Sequence, residues 1–162
     1  MGKFGGMQEA KIGQGGVYFL EGRYTVRVVK VFMLDSRRSG DLFTIEAIIL
    51  KSTCPQRPVG LKCSWQVKMG QEMALPNIKG FLAACAGADP SNDLEVRAAF
   101  TDQDGRDISE ETAEMAVSDE NPLAGIDLDL VVVTISTKEK KMPFSKHSWA
   151  PAKDGAGLPA KA

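Results

Sequence analysis

Between Val59 and Met69 the chain alternates without a break. Val59, Leu61, Cys63, Trp65, Val67 and Met69 are apolar, and Gly60, Lys62, Ser64, Gln66 and Lys68 separate them. Successive side chains of an extended strand point to opposite faces, so this run predicts a strand with one buried face and one solvated face carrying two lysines. A lone strand of this kind is not stable, and the rest of the chain must supply a sheet around it.

Four other segments answer that demand. Arg23 to Leu34 reads as a strand in which Tyr24, Val26 and Val28 share one face, after which Val29 and Val31 take the opposite phase. A period-2 pattern that changes phase predicts a β-bulge or sharp bend. The polar turn Asp35 to Asp41 leads into a second strand, Leu42 to Leu50, as a hairpin. Pro55 and Pro58 interrupt the pattern before the Val59–Met69 strand. The period then lengthens. Ile78, Phe81, Leu82 and Cys85 follow helical spacing, preceded by Pro76-Asn77 and ending near Gly87. A second helix is expected from an N-cap-like Ser109 through Ala116. After Asn121-Pro122-Leu123-Ala124-Gly125 comes a fourth strand, Ile126 to Ser136, with a change of phase between Leu130 and Val131. A lysine-rich turn, Thr137 to Pro143, leads to a short fifth strand, Phe144 to Trp149.

The expected fold is mainly β. Strand, strand, strand, helix, acidic insert, strand, strand is the order of an OB-fold-like, five-stranded Greek-key barrel, with the helix and insert between strands three and four. A β-sandwich or jelly roll would need about seven or eight strands. The chain divides into a flexible N-terminal arm (1–16, with six glycines), the OB-fold-like domain (17–150, its acidic insert at 88–125) and a flexible C-terminal tail (151–162).

Charge decides which partners such a sheet can take. Twenty Lys and Arg face twenty-one Asp and Glu, a net charge of −1. They are not mixed evenly. Residues 1–85 hold 12 basic and 6 acidic side chains, residues 86–130 hold 2 and 13, and residues 131–162 hold 6 and 2. The pattern is basic, acidic, basic, which excludes a uniformly basic binder but not a focused basic face.

The residues that carry catalysis are sparse. Three cysteines, Cys54, Cys63 and Cys85, match no zinc or thioredoxin spacing, and an odd count cannot form a fully paired disulfide framework. Reduced thiols in a cytoplasmic setting are expected. His147, the single histidine, has no nucleophile motif beside it and reads as an ordinary strand or loop residue. Asp102-Gln103-Asp104-Gly105 lacks the closing Glu of a calcium loop, and Gly13-Gln14-Gly15-Gly16 lacks the Lys-Ser/Thr of a phosphate loop. No apolar run reaches the roughly 18 residues of a membrane helix, and the N-terminus lacks a signal-peptide core. A non-enzymatic protein without cofactor or metal is expected.

In an OB-fold-like barrel, the turn after strand one and the turn between strands four and five flank one binding face. Here they bring Arg37 and Arg38 together with Lys138, Lys140 and Lys141. Lys62 and Lys68 add charge from strand three, Arg23 and Arg27 from strand one, and Lys146 from strand five. Phe43, Phe144 and Trp149 are the candidates for stacking on bases, while Trp65 is expected in the core.

A resemblance points the same way. Glu21-Gly22-Arg23-Tyr24-Thr25-Val26-Arg27-Val28, the Trp65 strand, and Leu75 to Ala84 are similar to small bacteriophage-encoded OB-fold proteins of the single-stranded DNA-binding class. Asn121-Pro122-Leu123-Ala124-Gly125, the lysine-rich turn, Phe144-Ser145-Lys146 and Trp149 extend the resemblance over about Gly16 to Trp149. It implies coating of single-stranded DNA, or RNA, with little sequence preference during phage replication or recombination in the host cytoplasm, with a homo-oligomer also open to it. The chain departs from many such proteins in ending Gly157-Leu158-Pro159-Ala160-Lys161-Ala162, without an acidic tail. The acidic segment Asp89 to Asp129 is the alternative partner surface, for a replication or recombination protein or, in a second reading, for the basic partner of a phage structural or protein-interaction module.

Overall fold

The computed structural model describes residues 17–36, 40–135 and 144–153. The arm 1–16 and most of the tail, 154–162, lie outside the described residues. Five strands, β1 (Gly22–Ser36), β2 (Gly40–Ser52), β3 (Lys62–Lys68), β4 (Asp127–Ile135) and β5 (Phe144–Pro151), form one sheet in the order β3-β2-β1-β4-β5. Every pairing is antiparallel. Three helices, α1 (Ala74–Cys85), α2 (Asp93–Ala99) and α3 (Ser109–Ala116), lie between β3 and β4. The fold is thus mainly β, as the alternation implied.

The long central strand β1 carries the expected irregularity. Its register against β2 shifts between Thr25 and Val26 and again between Val28 and Lys30. The second shift leaves Val29 unopposed, so Val26 and Val28 face inward before it and Val31 after it. Backbone groups freed there find other partners. Asn121 accepts from Val31 N–H through Oδ1 at 3.1 Å and donates Nδ2 to the Val29 carbonyl at 2.9 Å. Val28 N–H and carbonyl pair with Ile126 and Gly125 at 2.9 and 2.8 Å. The Asn121–Gly125 turn therefore serves as a short substitute strand beside β1 where β4 stops.

The expected phase change in β4 does not occur. Leu128, Leu130 and Val132 all face the core, in unbroken register with β1 and β5. The run Leu130-Val131-Val132-Val133 is apolar throughout, so it fits either phase, and the strand simply keeps the one set by Leu128.

A flat sheet would hold β3 and β5 about 19 Å apart, four strand spacings. Instead Trp65 on β3 and Trp149 on β5 meet with ring centroids 5.3 Å apart, and Trp65 stacks on His147 at 5.6 Å. The sheet must curl to allow this. Two elements fill the seam. From α1, Phe81 packs against Trp149 at 5.1 Å and against Trp65 and Phe43 at 6.2 Å. Ahead of β1, residues 17–20 run along the free edge of β3. There Ser64 donates to the Val17 carbonyl at 2.7 Å, Tyr18 forms a parallel bridge with Ser64, and Tyr24 Oη donates to the Leu20 carbonyl at 2.6 Å. Phe19 enters the core between Tyr24 and Trp149. Trp65 is buried, as expected.

The helices start and stop for local reasons. Pro76 sits in the first turn of α1, where no N–H is required, and Gly87 past its end adopts φ 88°. Helix α2 was not anticipated from the sequence; Asn92 caps it by accepting from Leu94 and Glu95 N–H. Ser109 lies inside α3 rather than capping it. The N-cap is Ile108, which makes no side-chain cap, and Asp107 just before it accepts from Ser109 N–H and Oγ at 2.8 and 2.6 Å. Asp102 Oδ1 likewise accepts from the backbone of Asp104 and Arg106, tying its loop into a turn. No helix among the described residues is long and apolar enough to cross a membrane. Cys54, Cys63 and Cys85 are buried free thiols, and desolvation pushes Cys63 up to about 11.

His147 belongs to the aromatic seam, and its Nδ1 has no partner among the described residues. Burial lowers its pKa from 6.5 to about 4. The unfolded chain takes up a proton at a higher pH than the folded one, so stability is full above pH 6.5 and falls as pH drops toward 4. The loss attributable to this group is about 3 kcal/mol. Urea unfolding between pH 4 and 7 should show it, and His147→Phe should flatten that part of the acid limb. An identical acid limb in the variant would contradict the assignment.

Candidate nucleic-acid interface

Antiparallel pairing sorts the side chains of β1, β2 and β3 into rows across the outer face of the sheet. Successive rows hold Leu34, Leu42 and Lys68; Phe32, Thr44 and Gln66; Lys30, Glu46 and Ser64; and Arg27, Ile48 and Lys62. Thr25 beside Lys51 follows, then Arg23. Rows repeat about every 6.7 Å, two residues of strand rise. All but the Phe32 row and Arg23's neighbours on β2 bring a cation from this set, so charge recurs along the strand direction rather than clustering at one point. Lys30, Lys62 and Lys68 are exposed.

Two aromatic rings stand on this face. Phe32 stands half-buried on β1, with Lys30 Nζ 5.0 Å from its ring centroid. Tyr18, whose backbone pairs with Ser64 one row over, is 46% exposed and reaches across to donate its hydroxyl to Gln66 Oε1 at 2.8 Å. That hydrogen bond fixes the phenol ring at the β3 edge. Glu46 moderates the face, lying 3.9 Å from Lys62 Nζ.

The residues singled out from sequence are distributed over several places. Lys62 and Lys68 lie on this face as expected. Arg23 is exposed farther along β1, beside a cleft of about 460 Å³ that it lines with Lys51, Ser148 and Lys153. Asp129 stands in the same cleft, its carboxylate accepting from Thr25 Oγ1 at 2.9 Å and Lys153 N–H at 3.2 Å. Lys146 is exposed on β5, at the other end of the strand order, and belongs to none of the rows.

Arg27 has a different task from the expected one. Its Nε and Nη2 donate to Asp127 Oδ1 and Oδ2 at 2.8 and 3.2 Å, and Asp127 is 0% exposed. A carboxylate buried that completely requires a fixed counter-charge, so Arg27 is held as its partner. The same bonds push the guanidinium pKa upward.

Two aromatic candidates are corrected. Phe43 is 2% exposed and Trp149 5% exposed. Phe43 shares the inward parity of Ile45 and Ala47 on β2, and Trp149 faces inward with Tyr24 and Leu130 in one cross-strand row. Neither ring can stack on a base. For Phe144 the backbone belongs to β5, and its side chain lies outside what is described. Arg37, Arg38, Lys138, Lys140 and Lys141 also lie outside the described residues. The described strand ends that flank them lie at opposite ends of β1. Ser36 pairs with Gly40 at its C-terminal end, while β4 runs from Val132, opposite Gly22, past its N-terminal end to Ile135.

Lys30, Phe32 and Tyr18 were missed from the sequence. The phase change at Val29 carries the signal for the first two, because an inward Val31 turns both neighbours outward. Tyr18 gives no such signal, preceding the first strand pattern altogether.

Arg27→Met should strand the buried Asp127 charge and lower the melting temperature far more than Lys62→Met does. Adding Asp127→Asn should recover much of the loss. Equal effects of the two single substitutions in a thermal melt would contradict a structural role for Arg27.

Comparison of the chain with protein-family models and with curated proteins yields no match.

Proposed function

We propose that this protein binds single-stranded DNA through the outer face of β1, β2 and β3, with little sequence preference and no catalysis. The observation that carries the reading is the combination on one face of recurrent exposed cations, Lys30, Lys62 and Lys68, with two aromatic rings, Phe32 and Tyr18, the latter hydrogen-bonded to Gln66 of the Phe32 row. A strand's phosphates are neutralised by lysines spaced along its path, and any base can stack on an exposed ring, so affinity arises without base-edge readout.

The sheet order, the helix between β3 and β4 and the approach of the edge strands favour an OB-fold-like Greek-key barrel as the finer description. Such barrels bind oligonucleotides on the face that includes strands two and three. The biological setting we attach to this reading, protection of single strands in phage replication or recombination within a bacterial cytoplasm, rests on the sequence resemblance alone.

Fluorescence anisotropy with labelled oligothymidylate, duplex DNA and RNA over a salt series tests the proposal. Affinity for the single strand should exceed that for duplex and fall steeply with salt. Substituting Lys30, Lys62 and Lys68 together by Ala should reduce the slope of log K against log salt by about two, from about 0.7 per phosphate contact. Phe32→Ala with Tyr18→Ala should weaken binding about tenfold or more at high salt, where the stacking contribution stands alone. Unchanged affinity in both variants would remove this face from the account, and no binding at low salt would remove the function.

A further inference from the structure

We propose that the groove between α1 and α3 is a docking site for a basic amphipathic helix of a partner protein. The inference does not rest on the nucleic-acid reading, since the groove and the outer sheet face share no residue. Its cavity measures about 530 Å³. Ile78 and Leu82 from α1 form an apolar floor that meets Ala113 of α3. Leu75 stands at the rim, 67% exposed although its neighbour Ala74 and Ile78 one turn on are buried. An exposed leucine continuous with an apolar floor offers a partner new apolar contact without any repacking of the core.

Charge selects the occupant. Glu110 and Glu114, one turn apart on α3, border the groove. Lys79 is the one cation in its lining, and its ammonium is drawn 5.5 Å from the Phe100 ring. The segment that contains α3, residues 88–125, holds eleven acidic and two basic side chains. One of those two, Arg106, lies 3.4 Å from Asp102 and is engaged there. The acidic load is narrower than the sequence implied at its C-terminal end, because Asp127 and Asp129 are bound into the sheet. What remains is an apolar groove with an acidic border. A helix with apolar residues at i, i+3, i+4 and i+7, flanked by Lys or Arg, matches both properties.

The probe is a labelled synthetic helix with Leu on one face and Lys elsewhere, titrated into the full chain by anisotropy. A second peptide replaces every Lys by Glu. The Leu/Lys peptide should bind, and the Leu/Glu peptide should bind at least about tenfold more weakly. Leu75→Glu, a change at an exposed position, should weaken the Leu/Lys peptide about tenfold. Glu110→Lys with Glu114→Lys should weaken it similarly and restore binding of the Leu/Glu peptide. Asp93→Lys with Glu95→Lys on α2 tests whether any acidic surface suffices, and should leave affinity within about twofold. Circular dichroism melts confirm that each variant is folded. Absence of binding, insensitivity to Leu75→Glu, or an equal loss with the α2 reversal would overturn the proposal. So would concentration-dependent self-association in sedimentation velocity that Leu75→Glu abolishes, because a second copy of the chain would then be the occupant.

Discussion

Trp65 and Trp149 lie on the two edge strands of an open sheet, yet their rings meet at 5.3 Å. Bringing those edges together demands a curved β1, and two register shifts within that strand provide the bend. It also demands filler, because strands that converge without backbone pairing leave a gap. Phe81 of α1 and Phe19 from the stretch before β1 supply it. Burial of these rings contributes the largest apolar areas in the seam and offsets the polar groups trapped with them, the Trp149 indole N–H and His147 Nδ1. Once the inner face is occupied in this way, strand alternation leaves Lys30, Phe32, Lys62, Gln66 and Lys68 on the outside. The exposed cationic face is a consequence of the seam.

Charge is distributed by the same geometry. A chain with a net charge of −1 resolves into a sheet whose outer rows carry exposed lysines and a helical insert that concentrates carboxylates. On β4 the acids are engaged locally: Asp127 pairs with Arg27, and Asp129 accepts hydrogen bonds from Thr25 and the Lys153 backbone. Leaving either acid uncompensated beside the cationic rows would cost stability and weaken the field at the face. The insert carries its remaining acids on α2, α3 and their loops.

Much of the sheet was legible because its signals are local. Alternation marked the five strands, and the changed phase at Val29 announced the bulge that redirects β1. The misreadings have separate causes. Phe43 and Trp149 were chosen as stacking residues by chemical type, whereas parity along β2 and β5 assigns both to the core. In β4 four consecutive apolar residues erased the parity signal. Arg27 looked like a free cation because its partner, Asp127, lies a hundred positions away. Tyr18 and Phe19 acquire their roles only from the β3 edge they cover, and no spacing in residues 17–20 announces that edge.

Lysine acylation footprinting read by mass spectrometry tests the central claim most directly, since it reports each ammonium group separately. With saturating oligothymidylate, Lys30, Lys62 and Lys68 should lose reactivity, while Lys79 on α1 should react as in the free protein. Undiminished reactivity at all three strand lysines while the oligonucleotide is bound, or protection centred on Lys79, would contradict the account.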